Sequence, residues 1–228
     1  MSGVIFDLDG TLVESAPAMR DVANQLMIEL DLQPLKIDEV KRFVGAGTPV
    51  FLQRALQARG YNADAETFEH HVERLKSLYA EAPGEANYPM KGAGQTLRRL
   101  CELGYKIGLC TNKWMVPTQV ILAAHGWEQL ISVVVAGDSL TKRKPDPAPL
   151  REAAKRLATT PVVYVGDSDI DAAAADAAEI PFILFTEGYL ASEPSSLRHA
   201  ASFASYDELP ELISDVLTAR ATTPCPSV

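Results

Sequence analysis

Cysteine is scarce in this chain. Three occur among 228 residues, Cys101, Cys110 and Cys225, with no paired spacing. That excludes a disulfide framework or a structural zinc site and reads as free thiols. Positive charge is in deficit as well: 21 lysines and arginines face 30 aspartates and glutamates, a formal net charge of -9. Such a balance argues against nucleic acid or an anionic membrane as a partner. No apolar run is long enough to span a bilayer, and the first strand starts beside Met1 with no room for a signal peptide, so a cytoplasmic address is expected. Neither repeats nor low-complexity blocks stand out. With 47% hydrophobic and 22% charged residues, the chain is globular and long enough for one good core and a smaller second one.

What is present is a set of strands that end in chemistry. The run Gly3-Val4-Ile5-Phe6 empties into Asp7-Leu8-Asp9-Gly10-Thr11, and a turn at Gly10 can bring the second carboxylate beside the first at a sheet edge. Asp is also an ordinary turn former after a strand. Two like charges about 4 Å apart repel by roughly 4 kcal/mol at an effective dielectric near 20, which a divalent cation would offset. Three further runs end in the same manner. Tyr105 to Cys110 leads to Thr111-Asn112-Lys113; Ile131 to Val135 leads to Gly137-Asp138 and the basic Lys142-Arg143-Lys144; Pro161 to Val165 leads to Gly166-Asp167-Ser168-Asp169-Ile170-Asp171. In so acidic a chain an anionic substrate needs a local positive spot, which Mg²⁺ with Lys144 and Lys113 would supply.

The strand candidates Val4–Phe6, 106–110, 133–136, 162–165 and 182–185 show no alternation, as expected of a parallel sheet covered on both faces. Helical stretches at 92–103, 116–125, 148–157 and 170–178 are of crossover length. Between the first two strands, residues 14–89 hold no convincing strand and read as helices at 17–30 behind a Ser15 cap, 38–43, 48–59 and 64–79. The expected fold is therefore α/β, a Rossmann-like parallel sheet core with an inserted α-helical cap domain. Residues 1–14 and 90–220 form the discontinuous core, 15–89 the cap, and 221–228 a flexible tail. Two linkers leaving one sheet edge place the cap over the edge where ligands sit in open α/β folds.

Phosphoryl transfer needs an in-line nucleophile, a proton donor for the leaving oxygen and neutralisation of the equatorial oxygens. Asp7 can be the first and Asp9 the second, and hard oxygen ligands select Mg²⁺. The four motifs Asp7-Leu8-Asp9-Gly10-Thr11, Thr111-Asn112, Lys144-Pro145-Asp146-Pro147 and Gly166-Asp167-Ser168 with Asp171 resemble those of the haloacid dehalogenase superfamily. The resemblance spans nearly the whole chain.

It implies that Asp7 forms an aspartyl-phosphate, and that Asp9 protonates the leaving group and then takes a proton from water. Mg²⁺ would be held by Asp7, the Asp9 backbone carbonyl and Asp167, with Asp171 acting through water or from behind these ligands. Thr111 and the Asn112 backbone would hold phosphoryl oxygens, and Lys144 would neutralise Asp7 and the phosphate. Family members that displace halide from carbon need no acid at the position of Asp9. The cap placement is similar to that of the helical-cap subgroup. Within it, the stretches 43–48, 135–150 and 164–168 resemble the bacterial phosphoglycolate phosphatases, implying a small phosphate ester, 2-phosphoglycolate, as substrate. The turn of Gly45, Gly47 and Thr48 offers N–H groups to a carboxylate or is a plain helix entry.

Among weaker candidates, adjacent His70 and His71 point apart on a helix, and Asp169 suits helix capping. Arg42 and Arg54 suit surface ion pairs, while Trp114 lines the pocket or packs. Two other readings are open. The first is a different small or sugar-phosphate substrate, including a β-phosphoglucomutase-like phosphomutase, against which stands the lack of an arginine near Thr48. The second is a non-catalytic binding module, against which stands the pairing of Asp7 with Asp9. A homo-oligomer is neither indicated nor excluded.

Overall fold

The computed structural model describes residues 2–221; Cys225 and all but the first residue of the expected 221–228 tail lie outside them, and Ala221 closes the last helix. Six parallel strands form the sheet in the order β5-β4-β1-β6-β7-β8. They are β1 (Gly3–Phe6), β4 (Lys106–Cys110), β5 (Ile131–Val135), β6 (Val162–Gly166), β7 (Phe182–Phe185) and β8 (Ala201–Phe203). The chain builds outward from β1 to β4 and β5, then returns to β1's other side for β6, β7 and β8. The order therefore reverses at β1, the position at which doubly wound sheets open a crevice beyond their strand ends.

The unalternating strands are covered on both faces. Val4, Phe6, Leu109 and Val165 pack with α5 (Ala93–Glu102) and α9 (Leu209–Ala221) through Leu97, Leu100, Leu209 and Ile213. Ile5, Tyr164 and Leu184 face α7 (Ala148–Leu157) and α8 (Asp169–Ala178) through Leu150, Leu157, Ala172 and Ala175. The alanines of α8 let it lie close on β6 and β7. The helix α6 (Met115–Ala124) adds Ile121 and Leu122 to the first face.

Between β1 and α5 run α1 (Ala16–Glu29), α2 (Ile37–Phe43), α3 (Thr48–Gln57) and α4 (Ala65–Glu81). Their apolar stripes close on one another in a separate cluster that includes Leu26, Val40, Leu52 and Leu75. Two expectations for this region need correction. First, the ends of the segment do contain strand: β2 (Val13–Glu14) pairs antiparallel with β3 (Tyr88–Pro89), Val13 opposite Pro89 and Glu14 opposite Tyr88. Two-residue strands leave no periodicity to read. Second, Ser15 stands at the N-cap of α1 but its side chain caps nothing; its Oγ lies 3.8 Å from Met19 Sδ. Its backbone N–H donates instead to the Tyr189 hydroxyl at 2.9 Å. No helix among the described residues is long and apolar enough to cross a membrane, and Cys101 and Cys110 are free.

Candidate active site

β1, β4 and β6 end in register, Phe6 beside Leu109 and Val165. The next residues are therefore delivered side by side. The Asp7 N–H donates to Val165 O at 2.9 Å and the Thr111 N–H to Val135 O at 3.0 Å, so both residues leave the sheet with their backbones still tied to a neighbouring strand.

Asp7, Asp167, Asp171 and Lys144 are buried together. Lys144 Nζ stands 2.7 Å from Asp171 Oδ1 and 3.0 Å from Asp7 Oδ1, and donates to the Tyr164 hydroxyl at 2.8 Å. Burial works against its charge, but Asp171 and Asp7 outweigh burial and hold the ammonium firmly protonated. Asp171 is wholly engaged by the protein: Oδ1 accepts from Lys144 and, at 2.6 Å, from Tyr164 Oη; Oδ2 accepts from Ser168 Oγ at 2.6 Å and Ser168 N at 3.1 Å. Burial raises its pKa, yet Lys144, Ser168 and Tyr164 together hold it below the usual range. Ser168 caps α8 and accepts in turn from the Asp171 N–H at 3.2 Å, which fixes both at the helix N-terminus. Asp169, expected as a cap, is the first helical residue, and its Oδ2 accepts from Ala191 N.

Asp7 differs. Its Oδ1 is buried and accepts no hydrogen bond, Lys144 approaching to ion-pair distance without an aligned N–H. Burial first, then Asp171 and Asp9, push its carboxyl up to about 7 against the pull of Lys144. Asp167 accepts from Thr11 Oγ1 at 2.6 Å and from Tyr189 N at 2.7 Å; burial, with Asp171 and Asp7 nearby, pushes its carboxyl well above the ordinary range. Asp9 is held separately by Lys113, whose Nζ lies 3.0 Å from Oδ1.

Oxygens of Asp7, Asp167 and Asp171 approach within 4.8 Å of one another. Counting Asp9, four carboxyl groups face two ammonium groups, so ionising all four would leave an excess of two negative charges in a desolvated place. A hard divalent cation matches that excess and the all-oxygen donor set. Asp7, with its orphaned oxygen, and the remaining lone pairs of Asp167 leave room for a cation without using up the Asp7 oxygens; Asp171 is taken up by Lys144.

Beside this cluster opens a narrow pocket that Asp7 and Asp9 help to line. Asp7, Asp9, Thr111, Asn112 and Lys113 form its strand-edge wall; Gly45, Gly47, Thr48, Phe51 and Tyr79 form the wall from the helical segment. Asn112 ties the two together. Its Nδ2 donates to Gly45 O at 2.8 Å and Lys144 O at 2.9 Å, and its Oδ1 accepts from Lys144 N at 3.0 Å. Gly45 and Gly47 have φ of 108° and 91°, a region that favours glycine, and a Cβ at Gly47 would lie 3.5 Å from Asn112 O. Thr48 follows as the buried first residue of α3.

Every site residue expected from the sequence thus lies in the pocket or in the charge network beneath it. The weaker candidates do not. His71 Nε2 contacts Tyr61 Oη and no metal-ligand cluster; Arg42 and Arg54 bind the backbone carbonyls of Asp38 and Phe43. Trp114 packs on the helical cluster. Sequence reasoning overlooked Thr11, Tyr79, Tyr164 and Tyr189. Thr11 had a signal, two residues beyond Asp9 in the same turn; the tyrosines had none.

A family model described as haloacid dehalogenase-like hydrolase matches residues 4–185. A Cereibacter sphaeroides protein named phosphoglycolate phosphatase is 43% identical over 217 residues, 95% of this chain and all of that protein. One of the same name from Rhodobacter capsulatus is 36% identical over 211 residues, 92% of this chain and 95% of that one. Among solved structures, one described as a predicted phosphoglycolate phosphatase from Haemophilus somnus superposes with a TM-score of 0.83 at 27% identity, covering 92% of this chain and 96% of its own. With a strand-edge aspartate cluster and a family match across most of its length, the chain belongs to the haloacid dehalogenase-like hydrolases.

Proposed function

We propose that this hydrolase is a Mg²⁺-dependent phosphatase that cleaves 2-phosphoglycolate to glycolate and phosphate through an aspartyl-phosphate. The observation that carries the reading is Asp7, a carboxylate lining the pocket whose buried Oδ1 accepts no hydrogen bond while Lys144 stands 3.0 Å away. A nucleophile needs such a free lone pair and a nearby cation to neutralise the incoming charge. The name carried by the Cereibacter and Rhodobacter relatives supports the substrate.

In the first step an Asp7 oxygen bonds to phosphorus, the ester P–O bond breaks, and its electron pair leaves on glycolate oxygen as Asp9 gives up a proton. In the second step Asp9 takes a proton from water, the water oxygen bonds to phosphorus, and the P–O bond to Asp7 breaks, releasing phosphate. Lys113 keeps Asp9 in place for both transfers. Thr111 and the Asn112 backbone orient phosphoryl oxygens, while Asp171 orients Lys144. Asp7, Asp167 and the Asp9 carbonyl would hold Mg²⁺, which when bound neutralises and polarises the phosphoryl group.

In this reading residues 15–89 act as the cap, for which their own apolar cluster and their wall of the pocket speak. Residues 1–14 and 90–220 carry the chemistry. A reducing cytoplasm suits Cys101 and Cys110, both free.

The test is phosphate release from a panel of small phosphomonoesters and sugar phosphates with and without Mg²⁺. Mg²⁺-dependent preference for 2-phosphoglycolate is expected; preference for a sugar phosphate would overturn the substrate, and no release from any would overturn the reaction.

A further inference from the structure

The phenol of Tyr79 has no role in the steps above, yet its surroundings are unusual. It stands in the last turns of α4 and is 7% exposed, and its hydroxyl is buried with no hydrogen-bond partner. Folded proteins leave few buried polar groups unpaired, and each one calls for a reason. Tyr79 lines the active-site pocket and, with Lys113, a small neighbouring pocket. Lys113 Nζ stands 5.5 Å from its ring centroid and 3.0 Å from Asp9 Oδ1. Burial, and Asp9 after it, push the Tyr79 titration far above its ordinary range, so the hydroxyl keeps its proton and acts as a donor.

The position fits one part of the substrate, and the inference rests on the reaction assigned above. In 2-phosphoglycolate the leaving oxygen, which must meet Asp9, is joined through a single methylene to the carboxylate. That carboxylate must therefore lie next to Asp9 on the side away from phosphorus; of the polar side chains lining the pocket, Lys113, which pairs with Asp9, and Tyr79 also line the neighbouring pocket, whereas Thr48, Thr111 and Asn112 line the first alone. Lys113 has three N–H donors, not all consumed by Asp9, and Tyr79 has one donor that the protein leaves unused. We propose that the Tyr79 hydroxyl is a specificity-determining group that donates to the substrate carboxylate beside Lys113.

The test compares Tyr79→Phe with the parent enzyme on two substrates of equal chain length, 2-phosphoglycolate and ethyl phosphate, which lacks the carboxylate. The change keeps the ring and its packing, and a hydroxyl without a protein partner contributes no stability, so the melting temperature should hold or rise. The expected result is a fall of about tenfold or more in kcat/KM for 2-phosphoglycolate with ethyl phosphate unchanged, as for a lost hydrogen bond to a charged group. A parent preference for 2-phosphoglycolate that survives intact in Tyr79→Phe, or equal losses on both substrates, would overturn the role of Tyr79 alone. A parent enzyme that cleaves both substrates equally well would overturn the carboxylate reading, and the role of Tyr79 with it.

Discussion

Tyr189 holds Asp167 by its backbone and the start of α1 by its ring. Its N–H donates to Asp167 Oδ2 at 2.7 Å, and its hydroxyl accepts from the N–H groups of Ser15 and Ala16 at 2.9 Å each while donating to Glu14 Oε1 at 2.5 Å. A single residue in the loop after β7 therefore braces both a site carboxylate and the point where the helical segment leaves the core. Lys41 of α2 completes the junction, 3.0 Å from Glu14 Oε2.

Tyr189→Phe removes the hydroxyl and leaves these partners short of a hydrogen bond while the N–H to Asp167 remains. Stability should fall by about 1–3 kcal/mol, read as a lower melting temperature. Calorimetric Mg²⁺ affinity should stay within about twofold, because the bond to Asp167 is untouched; a large loss of affinity would mean that the ring, not the backbone, sets the position of Asp167.

Gly188 gives the same carboxylate no room to move. A Cβ there would lie 2.3 Å from Asp167 Cβ and 2.4 Å from Oδ2. Gly188→Ala should displace Asp167 and weaken Mg²⁺ binding about 10- to 100-fold, the size seen when groups supporting metal ligands are disturbed. Titration of the metal-free protein by calorimetry checks this without reference to turnover.

Burial raises Asp7 to about 7 from an ordinary 3.8, so the folded chain binds this proton more tightly than the unfolded one. Between about pH 4 and 7 a rising pH therefore removes stability, and above pH 7 the whole cost of the buried charge stands. Asp7→Asn has no such proton to lose. Without Mg²⁺ at pH 8 it should be more stable than the parent by on the order of 2–4 kcal/mol, with the gap closing toward pH 4, and it should release no phosphate. Denaturant melts at several pH values measure the gap, and substantial residual turnover would remove Asp7 from the nucleophile's role.

Asp171→Ala leaves Lys144 buried with Asp7 as its remaining carboxylate partner, removes the acceptor of Ser168 Oγ and leaves Tyr164 Oη with the Cys110 carbonyl as its only acceptor. Breaking a buried pair from one side costs about 3–5 kcal/mol, and the melting temperature should drop accordingly. Asp171→Asn, which keeps the shape and one acceptor oxygen, should recover part of the stability and less of the activity, since Lys144 would no longer be held at full charge balance.

The catalytic edge was legible because each strand is a short apolar run that stops at a polar residue, a pattern visible without contacts. Asp7, Thr111, Lys144 and Asp167 could be named from it. The helical insertion was legible from the excess of chain between two strands. What stayed hidden has a common physical cause. Val13–Glu14 and Tyr88–Pro89 are too short for periodicity, and Ala201–Phe203 contributes only three residues to the sheet edge. Tyr164 and Tyr79 are core residues by their rings and site residues by one oxygen each, and only tertiary structure reveals where that oxygen lies. Tyr189 reaches Asp167 through its backbone N–H, which the identity of a side chain cannot announce.

Glu14 and Tyr88 face each other across a single antiparallel rung, so everything between them enters and leaves through one doorway. The sheet is threaded the same way whether that doorway opens on four helices or on a short turn. A segment attached like this can be lengthened, exchanged for one from another chain or trimmed back without re-routing any strand. Such an exchange would replace the helical wall of the pocket while Asp7, Thr111 and Asp167 keep their places at the strand ends.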